Sequence, residues 1–348
     1  MTDAELTIDL AAIAANWRAL DACSAGHVET GAVVKADAYG LGIDQVAPVL
    51  ANAGAQSFFV ATAGEGAALR AVLGQGPEIY IFSGYMKGGQ EMFAGAGLIP
   101  MLNSLDQVSR FVAERPGAAA ALQLDSGMNR LGLEPADLPQ LMLHLPRLAP
   151  RLVISHLACA DEPLHVMNAT QLAAFTAMAA GLPGCRFSLA ATGGITLGPA
   201  YHFNLTRPGI GLYGGLPFAE AQPVLRLDVP VIQTRDILPG ESVGYAASFT
   251  TATSRKIATI SAGYADGLIR HLSRGMTVYA DGIACPVAGR VSMDMITVDV
   301  THLDHSPDQV EILGPNQTID QLAADAGTIG HEILTSLGHR YKRTYKNA

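Results

Sequence analysis

In the stretch AVVKADAYGLG, Ala32 to Gly42, one lysine stands at the end of an apolar run and just before a turn. A charge there is costly unless its amine does chemistry or meets an anion. An amine whose pKa is lowered by desolvation can condense with an aldehyde cofactor, so Lys35 is a Schiff-base candidate. A salt bridge to Asp37 accounts for it equally well on the residues alone. Other chemistry-capable residues recur at the ends of apolar runs: Asp125 with Arg130 just beyond, His156, Thr192, and Arg207 leading into RPGIGLYGG. GIGLYG matches a dinucleotide fingerprint formally, but Pro217 follows at once and no helix opens, which favours a backbone phosphate cradle or close packing. His302, Asp304, His305 and Asp308 lack a third ligand at helical or hairpin spacing, so they read as a solvated loop and no metal is expected.

These residues need a scaffold. Short apolar runs alternate with helical spacing from residue 30 to about 215: GAVVKA (31–36), SFFVAT (57–62), EIYIFS (78–83), GLIPML (97–102), AAALQLD (119–125), RLVISHL (151–157), RFSLA (186–190) and GIGLYG (209–214). Helices are predicted over 45–53, 63–73, 105–114 and 169–180. That alternation is the pattern of an α/β protein, a (β/α)8 TIM-type barrel over residues 10–220, whose catalytic groups would sit at the C-terminal strand ends. A doubly wound sheet is the alternative, but the first strand lacks its nucleotide fingerprint. Past Pro217, short strands separated by Gly, Pro and Asp turns predict a mostly β domain over 221–348, and Thr318 with Gln321 forms a capping-box signature. Residues 1–9, with ELTIDL, suit a strand of either domain.

Composition narrows the function classes. The 348 residues are 49% hydrophobic and 15% charged, with a net charge of −9 and no Lys/Arg run, which argues against nucleic-acid or anionic-membrane partners. Cys23, Cys159, Cys185 and Cys285 are scattered singly, suggesting reduced thiols rather than a disulfide framework or zinc site. With no basic, apolar leader and no run approaching roughly 18 apolar residues, a soluble cytoplasmic protein is expected.

AVVKADAYGLG is similar to the cofactor-lysine segment of alanine racemases. LDSGMNRLG (124–132), SHLACAD (155–161), TRPGIGLYG (206–214), VGYAASF (243–249), SAGYADG (261–267) and GRVSMD (289–294) resemble that family's segments in the family's order. The resemblance implies a pyridoxal 5′-phosphate enzyme, a barrel followed by a β domain, alanine as substrate, and a homodimer with shared active sites. Lys35 would hold the cofactor and act as base on one face of the α-carbon, with Tyr264 of the partner on the other. His156 would hydrogen-bond Tyr264, positive charge nearby would favour phenolate, and Arg207 would face the pyridine nitrogen. Tyr39, Thr192 and the amides of Gly209 and Ile210 would bind the phosphate. Arg130 would serve Tyr264's partner groups or the substrate carboxylate, with Met293, Asp294 and Tyr245 lining the substrate entrance and pocket.

Three positions depart from the family pattern. Thr192 replaces a serine, Gln123 stands where some members carry a carbamylated lysine, and His339 stands where some place a tyrosine. The neutral Gln123 implies that Arg130 is positioned by a bound anion such as chloride or by Gln123 itself. The enzyme would supply D-alanine for peptidoglycan or serve L-alanine catabolism. Alternatives are a serine or broader-range racemase of the same group, a non-catalytic cofactor-carrying barrel, and a barrel decarboxylase. GYADG and GRVSMD count against the second, and Cys285 in IACPV against the third.

Overall fold

The computed structural model describes residues 4–347 apart from Pro183, so the chain-end limits of the expected domains lie outside the described residues. Two compact units appear: Ile13–Ala221, and the segment ending at Ala12 together with the one beginning at Gln222.

In the first unit, seven parallel strands follow chain order around one sheet: Ala32–Val33, Ser57–Val60, Glu78–Ile81, Ile99–Leu102, Ala119–Gln123, Ala149–Ile154 and Arg186–Ser188. Ser57–Val60 and Ile99–Leu102 are buried at every position, as strands covered on both faces must be, which explains why they read as continuous apolar runs. The eighth strand is Leu205–Thr206, parallel to Glu29–Thr30. Backbone bonds from Gly31 N–H to Thr206 O, Val33 N–H to Pro208 O and Arg207 N–H to Ala190 O close the (β/α)8 barrel.

The expected eighth strand at 209–214 is therefore misplaced. Ile210–Tyr213 is a tight helical turn, with Leu212 N–H bonded to Gly209 O at 2.9 Å. A short buried apolar run has no periodicity that separates strand from helix, and the glycines permit the tighter winding.

Local signals set the helices well. Ser104 accepts the Gln107 N–H at 3.3 Å and opens Leu105–Glu114, which buries Val108, Phe111 and Val112 on one stripe. Thr62 caps Ala63–Leu73 in the same way, with Glu65 answering reciprocally.

The second unit is built on the strand Leu225–Ile237, antiparallel to Glu5–Asp9, Arg255–Ile260 and Gln309–Leu313. Ile237, Val243, Ile257 and Ala288, with Phe249 against them, form an apolar cluster. The capping box at Thr318 and Gln321 opens the helix Ile319–Asp325. His305 pairs with Asp281 at 3.2 Å, both exposed. Among the described residues the four cysteines are free, no His/Cys/Asp/Glu group has metal-site geometry, and no helix is long and apolar enough to cross a membrane.

Candidate active site

Lys35 follows directly on the first strand, where Val34 N–H still bonds Phe59 O at 2.9 Å. The next four residues, Ala36 to Tyr39, have φ of 53° to 57°, a left-handed turn made of L residues. Each such residue costs about 1–2 kcal/mol, so the surroundings must hold it. Glu65 Oε1 accepts the Ala36 N–H at 3.0 Å, Asp37 Oδ1 accepts the Ile43 N–H at 2.8 Å, and Ala38 N–H bonds Val34 O at 2.9 Å. The turn buries Tyr39, whose ring lies 4.6 Å from that of Tyr213. Desolvation lowers the Lys35 pKa, Arg130 lowers it further, and Glu65 opposes them.

Thr192, Tyr39 and the segment after Arg207 form a cradle. Thr192 Oγ1 accepts N–H bonds from Gly209 at 3.0 Å and Gly211 at 3.2 Å. Both lone pairs are thereby used, leaving its O–H to be donated to an anion. Side chains would crowd the cradle: a methyl on Gly209 would overlap Tyr39 Oη, and one on Gly211 would lie 2.7 Å from Thr192 Cγ2. Burial raises the Tyr39 pKa and keeps the phenol a donor. These hydroxyls, with the Ile210 amide, fit a phosphate. The Gly209 amide, expected to touch the phosphate itself, is directed to Thr192 because the threonine oxygen lies within its reach.

Arg207 is 2% exposed. Its guanidinium donates to Ser188 Oγ, to Ser155 O at 2.7 Å and to Leu189 O at 3.4 Å, and no carboxylate pairs with it among the described residues. Burial pulls its pKa down to about 9, so at neutral pH it remains a buried cation without a counter-charge. Such a group fits a ligand acceptor.

His156, half-buried, follows the strand Ala149–Ile154. Its carbonyl accepts from Gln171 Nε2 at 2.9 Å, and Gln171 Oε1 accepts the Ala158 N–H at 2.8 Å. Gln171 also donates to Ser126 Oγ at 3.3 Å, which lies 2.7 Å from Ser155 Oγ. This buried network ties the His156 segment to the loop that carries Arg130. Gln123 Nε2 supports the same loop by donating to Leu131 O at 3.0 Å, and Arg130 itself is exposed. The sequence reading missed Gln171, Ser155 and Ser188, whose residue types carry no local signal. It also missed Glu65, which the TAGE capping box at 62–65 could have disclosed.

In the β unit, Tyr264 is 42% exposed, on a tight turn between Gly263 and Gly267. Tyr264 N–H bonds Ser292 O and Ala265 N–H bonds Met293 O, each at 3.0 Å. Buried Asp266 accepts the Gly263 N–H at 2.9 Å and takes two bonds from Arg340, at 2.6 and 2.7 Å. Arg340 Nη1 also reaches Asp294 at 2.8 Å, so that carboxylate is engaged within the unit. Met293 and Tyr245 are exposed, and His339 lies on the surface beside Arg340.

A closed (β/α)8 barrel with a lysine, a hydroxyl–amide cradle and a buried guanidinium beyond its strand ends defines a cofactor-binding barrel enzyme. Comparisons with known proteins sharpen that class. Family models described as "Alanine racemase, N-terminal domain" and "Alanine racemase, C-terminal domain" match residues 8–217 and 224–345. An alanine racemase of Cereibacter sphaeroides is 58% identical over 345 residues, covering 99% of each chain. The crystal structure of alanine racemase from Bartonella henselae with covalently bound pyridoxal phosphate superposes with a TM-score of 0.95 at 42% identity, covering 99% of this chain and 100% of that one. The biosynthetic alanine racemase of Pseudomonas aeruginosa gives 0.94 at 34% identity, covering both chains fully. The chain belongs to the alanine racemase family.

Proposed function

We propose that this chain interconverts L- and D-alanine, with pyridoxal 5′-phosphate carried on Lys35 and a second copy of the chain supplying Tyr264. The observation that carries the reading is a buried Arg207, with no carboxylate partner among the described residues, in the same barrel unit as a lysine on a hydrogen-bonded turn and an anion cradle. When bound, the cofactor supplies an electron sink for negative charge at the substrate α-carbon. Thr192, Tyr39 and the Ile210 amide hold its phosphate. Arg207 stays protonated at neutral pH and donates to the pyridine nitrogen, which limits that sink and suppresses side reactions.

Lys35 Nζ, released as a free amine when the substrate amine takes its place on the cofactor, would remove or return the α-proton on one face, and the Tyr264 hydroxyl would do so on the other, with His156 assisting it. Arg130 meets the substrate carboxylate, while Met293, Asp294 and Tyr245 belong to the entrance. Exposure of Tyr264, Tyr245, Met293 and Met295 supports a homodimer in which one protomer completes its partner's site. Scattered free thiols suit a reducing compartment, in accord with a cytoplasmic enzyme.

In D2O, either enantiomer of alanine is expected to gain an α-deuteron as it is interconverted, followed by proton NMR and chiral chromatography. Alanine that keeps its α-hydrogen through turnover would refute racemisation. Mixing Lys35→Ala chains with Tyr264→Phe chains tests the shared site, because each hybrid dimer has one intact site only if the bases come from different protomers. Roughly a quarter of wild-type activity is expected from random reassociation, and a mixture no more active than its parents refutes the sharing.

A further inference from the structure

Glu65 does more than open a helix. The cap itself needs one carboxylate oxygen: Thr62 Oγ1 accepts the Glu65 N–H at 3.3 Å, and Glu65 Oε2 accepts the Thr62 N–H at 3.3 Å. Oε2 also accepts the Ala61 N–H at 2.7 Å, while Oε1 leaves the helix and accepts the Ala36 N–H at 3.0 Å. That last amide belongs to the peptide joining Lys35 to Ala36, so its direction sets ψ of the lysine. It is also the first amide of the left-handed turn.

We propose that Glu65 is a positioning residue for Lys35, its carboxylate locking the Lys35–Ala36 peptide to the start of helix Ala63–Leu73 and so holding the amine where it captures the cofactor aldehyde. The inference rests on Lys35 being the cofactor lysine. A carboxylate can accept all three amides, whereas an amide side chain accepts only through its oxygen and presents N–H groups to the remaining donors. Glu65→Gln therefore releases either the strand end or the lysine peptide. Charge supplies a second signature. Glu65 and Arg130 act on the Lys35 amine with opposite sign, Asp37 is engaged by the Ile43 N–H, and the Tyr39 phenol is kept neutral by burial.

The test uses the full chain freed of cofactor and exposed to pyridoxal 5′-phosphate over a range of pH. The Lys35 amine adds to the aldehyde with loss of water, borohydride reduces the resulting C=N bond, and peptide mass spectrometry reads the label. Glu65→Gln is expected to slow capture about tenfold, the loss of one charge-assisted hydrogen bond, and to move its pH midpoint down. Arg130→Met should move the midpoint up, a pair of opposed shifts that loss of a helix cap does not produce. Thr62→Ala, which removes the cap and spares the Ala36 contact, should lower the thermal midpoint and leave capture unchanged.

Wild-type capture by Glu65→Gln, or equal slowing by Thr62→Ala, overturns the proposal. Label on another lysine of the wild-type chain overturns it together with the assignment of Lys35, whereas label confined to Lys35 but indifferent to Glu65→Gln overturns the positioning role alone. Should Glu65→Gln fail to fold, Glu65→Asp serves: it keeps the charge but cannot span both amides, so capture slows with the midpoint held, and wild-type capture refutes the proposal.

Discussion

Lys35 and Tyr264 sit on turns built by different means. After Lys35, four L residues in succession adopt left-handed backbone angles, and the carboxylates of Glu65 and Asp37 hold them by accepting backbone amides. Around Tyr264 the demanding positions are glycines. Gly267 has φ of 91°, and Gly263, though extended, has no room for a methyl beside the Ser292 and Met293 carbonyls. A side-chain clip, Asp266 with Arg340, then ties that turn to the chain's last strand region. The lysine turn stores strain at the end of a barrel strand, while the tyrosine turn is relaxed and depends on an ion pair. A residue that must keep one orientation can be held by backbone constraint. A residue presented at the surface can be held by side chains that leave its own face open.

Substitutions in the two turns should have separable effects. Lys35→Ala should have the largest effect, a loss of racemisation approaching 10⁴-fold with no covalent cofactor on peptide mapping. Tyr264→Phe should lower turnover by about 10²–10³-fold. Because enantiomers are equally stable in water, kcat/KM must remain equal in the two directions. The damage should appear instead as unequal primary deuterium isotope effects for L- and D-alanine, and an unaltered pattern removes Tyr264 from proton transfer.

Arg340→Met should reproduce that isotope asymmetry with about a tenfold loss in kcat, leaving cofactor capture by Lys35 intact. Equal damage to capture would show that the clip serves the whole fold rather than the tyrosine turn. The glycine exchange gives the smallest and most diagnostic pair. Gly263→Ala should destabilise by about 1–3 kcal/mol through overpacking. Ala36→Gly should stabilise by up to about 1 kcal/mol as left-handed strain is relieved against added unfolded-state entropy. Thermal or urea unfolding reads both, and equal signs for the two would contradict the contrast.

Much of the barrel was legible because its signals are local. Ser104 and Thr62 stop the preceding chain with side-chain caps, so the helices they open run as predicted from Leu105 and Ala63. The eighth strand was not legible at GIGLYG. Closure there depends on which peptides of residues 205–208 face residues 29–33, a tertiary matter that hydrophobic runs do not record. Lys35, Thr192 and Arg207 were readable as chemistry-capable types at the ends of runs, and Tyr39 only through the family resemblance. Ser188, Ser155 and Gln171 were not, because a neutral polar side chain becomes informative only once its partner is known.

By itself, the sequence determined which side chains can do chemistry, the alternation that makes a (β/α)8 barrel, and the change to short β segments after Pro217. Those follow from residue type, local capping and periodicity, which act over a few residues. Only the tertiary structure decided that Arg207 is a buried cation with no carboxylate among the described residues to pair with, that Thr192 uses its lone pairs on Gly209 and Gly211, and that one oxygen of Glu65 is directed to the peptide after Lys35. Hydrogen bonds of that kind depend on the direction of a backbone N–H relative to a side chain many residues away. Chain folding, not residue identity, sets that direction.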